Sequence, residues 1–146
     1  EPIRDRYDYI FIDCPPSLGL LTINALTASD GVIVPMQCEY YAMEGLADLI
    51  KSMRLTKRRF NPGLVIEGIV FTMYDRRLIF SNQVSREIKK HFGKAVYSTV
   101  IPRNVRIAES PSHGVPVVAY ARMSRGADAY GSLSIEFFRH DHVMEI

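Results

Sequence analysis

Short, unbroken apolar runs alternate along the chain with longer segments whose apolar residues recur at helical spacing. Tyr9-Ile10-Phe11-Ile12 is a continuous apolar run, the pattern of a strand buried on both faces of a parallel sheet. A helical stretch follows over about 20–28, and Val32-Ile33-Val34 reads as a second strand, stopped by Pro35. From about 43 to 60, Leu46, Leu49, Ile50, Met53 and Phe60 share one helical stripe, with Lys51, Arg54, Lys57 and Arg58 mainly on the other side. Residues 64–73 read as another buried strand. Ser81 is placed to cap a helix whose apolar face is Val84, Ile88 and Phe92, and Gly93 is a natural stop.

Residues 96–101 form a strand ended by Pro102, and a Pro/Ser/Gly-rich loop covers 110–116. Val117-Val118-Ala119 is expected to be a short strand. Ser124 is expected to cap a last helix carrying Tyr130, Leu133 and Phe137 on one face. This alternation predicts βαβ units with right-handed crossovers: an α/β fold with a mostly parallel sheet and helices on both faces. No internal repeat, low-complexity segment or linker divides residues 1–146, which read as one domain or part of one.

Composition narrows the class without changing the fold. With 47% hydrophobic and 23% charged residues, the chain buries enough surface to order itself, so disorder is excluded. A net charge of +2 is too mild to mark a nucleic-acid binder, and any such contact needs a local patch. Cys14 and Cys38 form no C-x-x-C pair and no histidines complete a metal set; they are expected to be reduced, partly buried thiols. No apolar stretch approaches the roughly 20 residues that span a bilayer. The opening Glu1-Pro2-Ile3-Arg4-Asp5-Arg6 has neither signal-peptide character nor an initiator Met, which fits a chain beginning in mid-protein; a trimmed chain would look the same.

Asp13 is the residue with the clearest chemical placement. A carboxylate directly after four apolar residues sits at the C-terminal end of a buried strand, the edge where open α/β sheets bind ligands. Buried there, it needs a strong partner: a metal-bound water or hydrogen-bond donors. This is the shape of a Walker B segment, and equally of a strand-end carboxylate that only closes a turn.

The surrounding residues separate these readings. Asp13-Cys14-Pro15-Pro16-Ser17-Leu18-Gly19-Leu20-Leu21-Thr22-Ile23-Asn24-Ala25-Leu26 resembles the extended Walker B region of the ParA/Soj family of partitioning ATPases. Similar blocks continue in order: Pro35 to Leu46, Thr72-Met73-Tyr74-Asp75, Val100 to Arg106, Glu109 to Gly114, and Ser124-Arg125-Gly126-Ala127. The resemblance weakens only after about residue 137. A phosphate-cradling G-x-x-x-x-G-K-S/T run is absent, as is the family's second aspartate segment. In the family both lie N-terminal to the Walker B strand. Residues 1–146 are therefore expected to be the C-terminal part of a single P-loop-type ATPase domain of the deviant Walker kind.

The resemblance implies roles residue by residue. Asp13 would hold Mg²⁺, through a water, and serve catalysis. Met73, Pro102, Arg103 and Asn104 would surround the adenine of ATP; without the resemblance, Pro102-Arg103-Asn104 is a plain turn after a strand. Arg77 and Arg106 match positions of sequence-independent DNA contact, with Arg76, Arg103 and Lys94 able to widen the patch; read alone, scattered arginines are a solvated face. His113 is expected to be a surface histidine, and Tyr40 and Tyr41 to pack at a helix start.

For the intact family protein, the resemblance implies ATP hydrolysis with Mg²⁺, an ATP-bound homodimer, non-specific binding to double-stranded DNA, and stimulation by a ParB-like centromere-binding protein. It implies a cytoplasmic, nucleoid-associated location and no membrane contact. The 146 residues alone are expected to be inactive. Two alternatives remain: a non-enzymatic fragment offering a DNA- or partner-binding surface, and a MinD-like membrane-associated ATPase. The second should end in a basic amphipathic helix, whereas Phe137-Phe138-Arg139-His140-Asp141-His142-Val143-Met144-Glu145-Ile146 has mixed charge.

Overall fold

Three parallel strands organise the molecule, in the order β1-β2-β3. The computed structural model describes residues 3–15, 17, 19–139 and 144–146. Along the chain run α1 (Leu20–Ala28), β1 (Gly31–Gln37), α2 (Ala42–Arg59), β2 (Val65–Tyr74), α3 (Ile79–Phe92), β3 (Val96–Pro102), α4 (Val105–Glu109), α5 (Val117–Tyr120) and α6 (Arg125–Arg139). The α/β class with helices on both faces is the observed one. Val32, Val34 and Met36 of β1 and Ile66, Ile69 and Phe71 of β2 share a core with Leu26, Leu46, Met53, Val84 and Ile88 of α1, α2 and α3. On the other face, Val70, Tyr97 and Ile101 pack with Leu133 and Phe137 of α6.

Two irregularities shape the sheet. Register steps from Val32↔Ile66 to Ile33↔Gly68, leaving Glu67 unmatched, and this is why Ile66 and Ile69 face the same core despite their odd spacing. Between Ile69↔Val96 and Phe71↔Val100, three residues of β3 face Val70 alone. The carboxylate of Glu136 on α6 accepts the N–H groups of Ser98 (2.6 Å) and Thr99 (2.8 Å) there, so the bulge is satisfied from the helix above it. At the other end of β2, Met144 forms an antiparallel bridge with Ile66, and Lys57 donates to the Leu64 carbonyl (2.9 Å) and the Glu145 carboxylate.

Gly68 shows how tightly the second face is packed. A Cβ there would lie 2.3 Å from Cε2 of the buried Tyr97 ring. Gly68→Ala is expected to destabilise the protein by about 1–3 kcal/mol in urea unfolding, because a buried ring has little room to withdraw. An unchanged midpoint would mean that Tyr97 is free to move.

Several expectations need correction. Tyr9-Ile10-Phe11-Ile12 belongs to no strand and is exposed, Phe11 by 71%. A strand needs a ladder partner, and this run pairs with none of the described strands. Its rings meet α6 instead, Tyr9 against Phe137 (5.3 Å) and Phe138 (5.5 Å), and Phe11 against Phe137 (5.7 Å). Pro35 does not stop β1, because β1 is an edge strand among the described residues and its outer side tolerates a missing N–H. Val117-Val118-Ala119 is a helical turn: with no sheet neighbour, Ala119 and Tyr120 both donate to the Pro116 carbonyl (2.9 Å each).

Ser81 caps nothing; it is buried in the first turn of α3, which starts at Ile79. Phe60 lies just past the end of α2 and is 59% exposed, so the apolar stripe stops at Met53 and Thr56. Tyr130 is 39% exposed, whereas Ser124 does cap α6, its Oγ accepting the Ala127 N–H at 3.1 Å. Cys14 is exposed and Cys38 buried, and burial pushes the Cys38 thiol up to about 11, keeping it protonated at neutral pH.

Candidate functional site

Parallel strands end on the same edge, and here that edge gathers most of the candidate residues. Gln37 pairs with Thr72 and Tyr74 with Pro102, so the loops after β1, β2 and β3 leave the sheet together. Met73 is the one described non-glycine residue with positive φ, at 49°, and its side chain is 44% exposed. A left-handed methionine is strained, and such strain persists where the surroundings over-determine the backbone. The next residue supplies the anchor: the Tyr74 hydroxyl donates to Asn82 Oδ1 at 2.9 Å, and Asn82 Nδ2 donates to the carbonyls of Arg76 and Leu78 at 2.9 Å. Thus the first turn of α3 holds the loop after β2.

After β3, Pro102 ends the strand and Asn104 opens α4, its Oδ1 accepting the Arg106 N–H at 2.8 Å. This turn sits close against α6. A Cβ on Gly126 would lie 2.6 Å from Ile107 Cγ1 and 3.4 Å from Asn104 Cγ. Asn104 therefore positions the loop through its oxygen, while Arg103 beside it is exposed.

Both arginines singled out for phosphate contact are held by carboxylates. Asp75 Oδ1 accepts from Arg77 N and Nε (3.0 Å each), and Oδ2 accepts from Nη2 at 2.7 Å. These bonds, with the nearby Arg103 charge, hold the Asp75 carboxyl down at about 2. Its pairing is therefore complete above the ordinary carboxylate range and is lost only as pH falls towards about 2. Arg106 Nη1 donates to Glu109 Oε2 at 2.9 Å, and the Tyr120 hydroxyl donates to the same oxygen at 3.3 Å. Each carboxylate raises its arginine's pKa further.

An open groove of about 570 Å³ runs between Cys38, Glu39 and Tyr40 after β1 and residues 77–81 after β2. Tyr40 and Tyr41 are 77% and 72% exposed. They meet edge to face at 5.0 Å, and Tyr40 stacks on Phe80 at 6.5 Å, so they line this edge and do not enter the core. His113 is exposed as expected, stacked on Tyr120 at 4.6 Å.

Asp13 stands apart. It is exposed, and it makes no hydrogen bond or ion pair among the described residues. Pro16 and Leu18 of its motif, like His140, Asp141, His142 and Val143 of the tail, lie outside the described residues. The structure thus brings Met73, Pro102, Arg103, Asn104 and Arg77 to one sheet edge, sets Arg106 on the helix that follows, and does not join Asp13 to them. Asp75, Asn82 and Glu109 escaped the sequence reading. Opposite charges two residues before Arg77 and three after Arg106 signalled the carboxylates; nothing in the sequence signalled Asn82.

Comparison with known proteins fits this arrangement. Residues 1–66 match the AAA_31 family, described as an AAA domain. The chain is 57% identical over 136 residues to the sporulation initiation inhibitor protein Soj of Bacillus subtilis, covering 93% of this chain and 54% of that protein. It is 51% identical over 138 residues to the chromosome partitioning protein ParA of Caulobacter vibrioides, covering 93% and 52%. The chain belongs to the ParA/Soj family. It spans about half the length of the curated ParA and Soj relatives it matches. Among solved structures, cobyrinic acid a,c-diamide synthase from Mycobacterium smegmatis with bound ATP analog and magnesium superposes with a TM-score of 0.73 at 32% identity, covering 95% of this chain and 50% of that one.

No group of three or more His, Cys, Asp or Glu side chains gathers among the described residues. A lone exposed carboxylate such as Asp13 suits a cation that keeps several waters and takes its other ligands from phosphate, which is magnesium's habit. No described helix is long and apolar enough to cross a membrane.

Proposed function

We propose that residues 1–146 are the C-terminal part of one ParA/Soj ATPase domain, and that the intact protein is an ATP-operated DNA-partitioning switch. It binds MgATP, dimerises, coats double-stranded DNA without sequence preference, and is stimulated by a ParB-like centromere-binding protein. It works in the cytoplasm, on the nucleoid. The observation that carries this reading is the gathering of Met73, Pro102, Arg103 and Asn104 at the C-terminal edge of a parallel sheet, in a chain 57% identical to Soj. That edge is where such sheets bind nucleotide.

In this reading Met73, Pro102 and Arg103 border the adenine, and Asn104 sets their loop. Asp13 holds a water of the magnesium shell, and bound magnesium supplies positive charge to the phosphates. Arg77 and Arg106 contact DNA phosphates, whose planar recognition suits a guanidinium.

The isolated chain contains no G-x-x-x-x-G-K-S/T run, the loop whose backbone N–H groups and lysine take most of the phosphate charge. Calorimetry is therefore expected to show MgATP binding to the full-length protein and none to residues 1–146 at micromolar concentrations. Micromolar binding by the isolated chain would put the nucleotide site elsewhere and sink this division of labour.

A further inference from the structure

Of the described arginines, only Arg4, Arg77 and Arg106 pair with a carboxylate, and two of these are the ones assigned to DNA. The contact at Arg77 is unusually complete for a surface pair. Its Nε and Nη2 donate to the two oxygens of Asp75, so the side-on edge of the guanidinium fork, the edge that also fits two phosphate oxygens, is already occupied. The backbone N–H of Arg77 donates to Asp75 as well, and the Tyr74–Asn82 bond fixes the loop beneath. Arg77 itself remains 89% exposed, whereas Asp75 is 25% exposed. The cation faces outward and its counter-charge sits behind it. Arg106 makes a simpler contact one loop away, a single bond from Nη1 to Glu109, which Tyr120 holds in turn.

We infer that Asp75 is a built-in brake on the DNA-binding face, a positioning residue that competes with DNA phosphate for Arg77 and keeps non-specific binding weak and quickly reversible. This rests on the assignment of Arg77 to DNA. Two routes lead to the same effect. If phosphate takes the side-on edge, Arg77 must first leave Asp75. If phosphate takes the end of the guanidinium, an ionised carboxylate stays within a few ångströms of it and repels it. Asp75 remains ionised at every physiological pH, so the brake acts through competition and not through protonation. Glu109 applies the same restraint to Arg106.

The test is a double-mutant cycle in the full-length, ATP-loaded protein, read by fluorescence anisotropy on two unrelated DNA duplexes at low salt. Asp75→Asn keeps an oxygen to accept the Arg77 N–H but removes the charge. It is expected to raise affinity about two- to fivefold on both duplexes, the range an exposed ion pair allows. In an Arg77→Ala background the same substitution is expected to change affinity less than about twofold. Glu109→Gln, alone and with Arg106→Ala, repeats the cycle at an independent site. A gain from Asp75→Asn that persists undiminished without Arg77 would show a general charge effect and overturn the inference. So would no gain, or a loss, from Asp75→Asn while Arg77→Ala weakens binding: the carboxylate then serves only to orient Arg77 or to shape the loop. If Arg77→Ala leaves DNA binding unchanged, the DNA assignment of Arg77 falls, and the brake with it.

Discussion

Replacing Asp13 by alanine is expected to lower ATP turnover of the full-length protein by at least about a hundredfold, the usual loss when a group that places transition-state charge is removed. Unfolding free energy should change by no more than about 0.5 kcal/mol, since Asp13 is exposed and makes no hydrogen bond or ion pair among the described residues. Those two readouts separate a metal-placing carboxylate from a structural one. A strand-end cap would lose stability and keep turnover; a magnesium residue does the reverse. Turnover surviving within about threefold would refute the Walker B role, because so small a change lies below the effect of one preorganised charge contact. Single-turnover measurement with magnesium varied over a wide range refines the comparison. A weakened metal site recovers part of its rate at high magnesium, and a misplaced loop does not.

Reversing both arginines, Arg77→Glu with Arg106→Glu, should weaken DNA binding of the ATP-bound protein by about a hundredfold at low salt. Each substitution removes a phosphate contact and adds a repelling charge. The loss should be nearly equal on unrelated sequences, because phosphate carries no base identity. Removal to alanine should lower the slope of log affinity against log salt by about one unit per contact. ATP hydrolysis measured without DNA should remain near normal, as neither side chain is assigned to nucleotide. Unchanged binding in the double variant would return both residues to the solvated face that a plain reading of the sequence allows. Loss confined to one sequence would mean base readout, and a different kind of DNA-binding protein.

The elements were legible where local signals and tertiary packing agree. The helices over 20–28 and 43–60, the strands at 64–73 and 96–101, and the stop at Gly93 all lie within a residue or two of the observed bounds. In α2 the apolar stripe of Leu46 and Met53 that marks the helix is the stripe its core buries. Misreadings came where a residue's neighbours in space, not in sequence, decide its state. Pro35 breaks a central strand but not an edge, and whether a strand is an edge is a property of the sheet. Val117-Val118-Ala119 has strand composition and no strand to pair with, so its backbone bonds close locally on Pro116.

The amino-acid order by itself determined the alternation of elements, the parallel α/β class, the membership in the ParA/Soj family, and the identity of the candidate side chains. These follow from periodicity and from ordered blocks of residues, both local properties. Tertiary structure alone decided which strand ends share an edge, and the coverage of the β3 bulge by Glu136 from 37 to 38 residues away. It also decided that Arg77 faces outward while its partner Asp75 is largely covered behind it. The physical reason is that a charge's partner and a backbone's hydrogen bonds are set by proximity in space. The chain settles that proximity only when its separate amphipathic faces close on common cores.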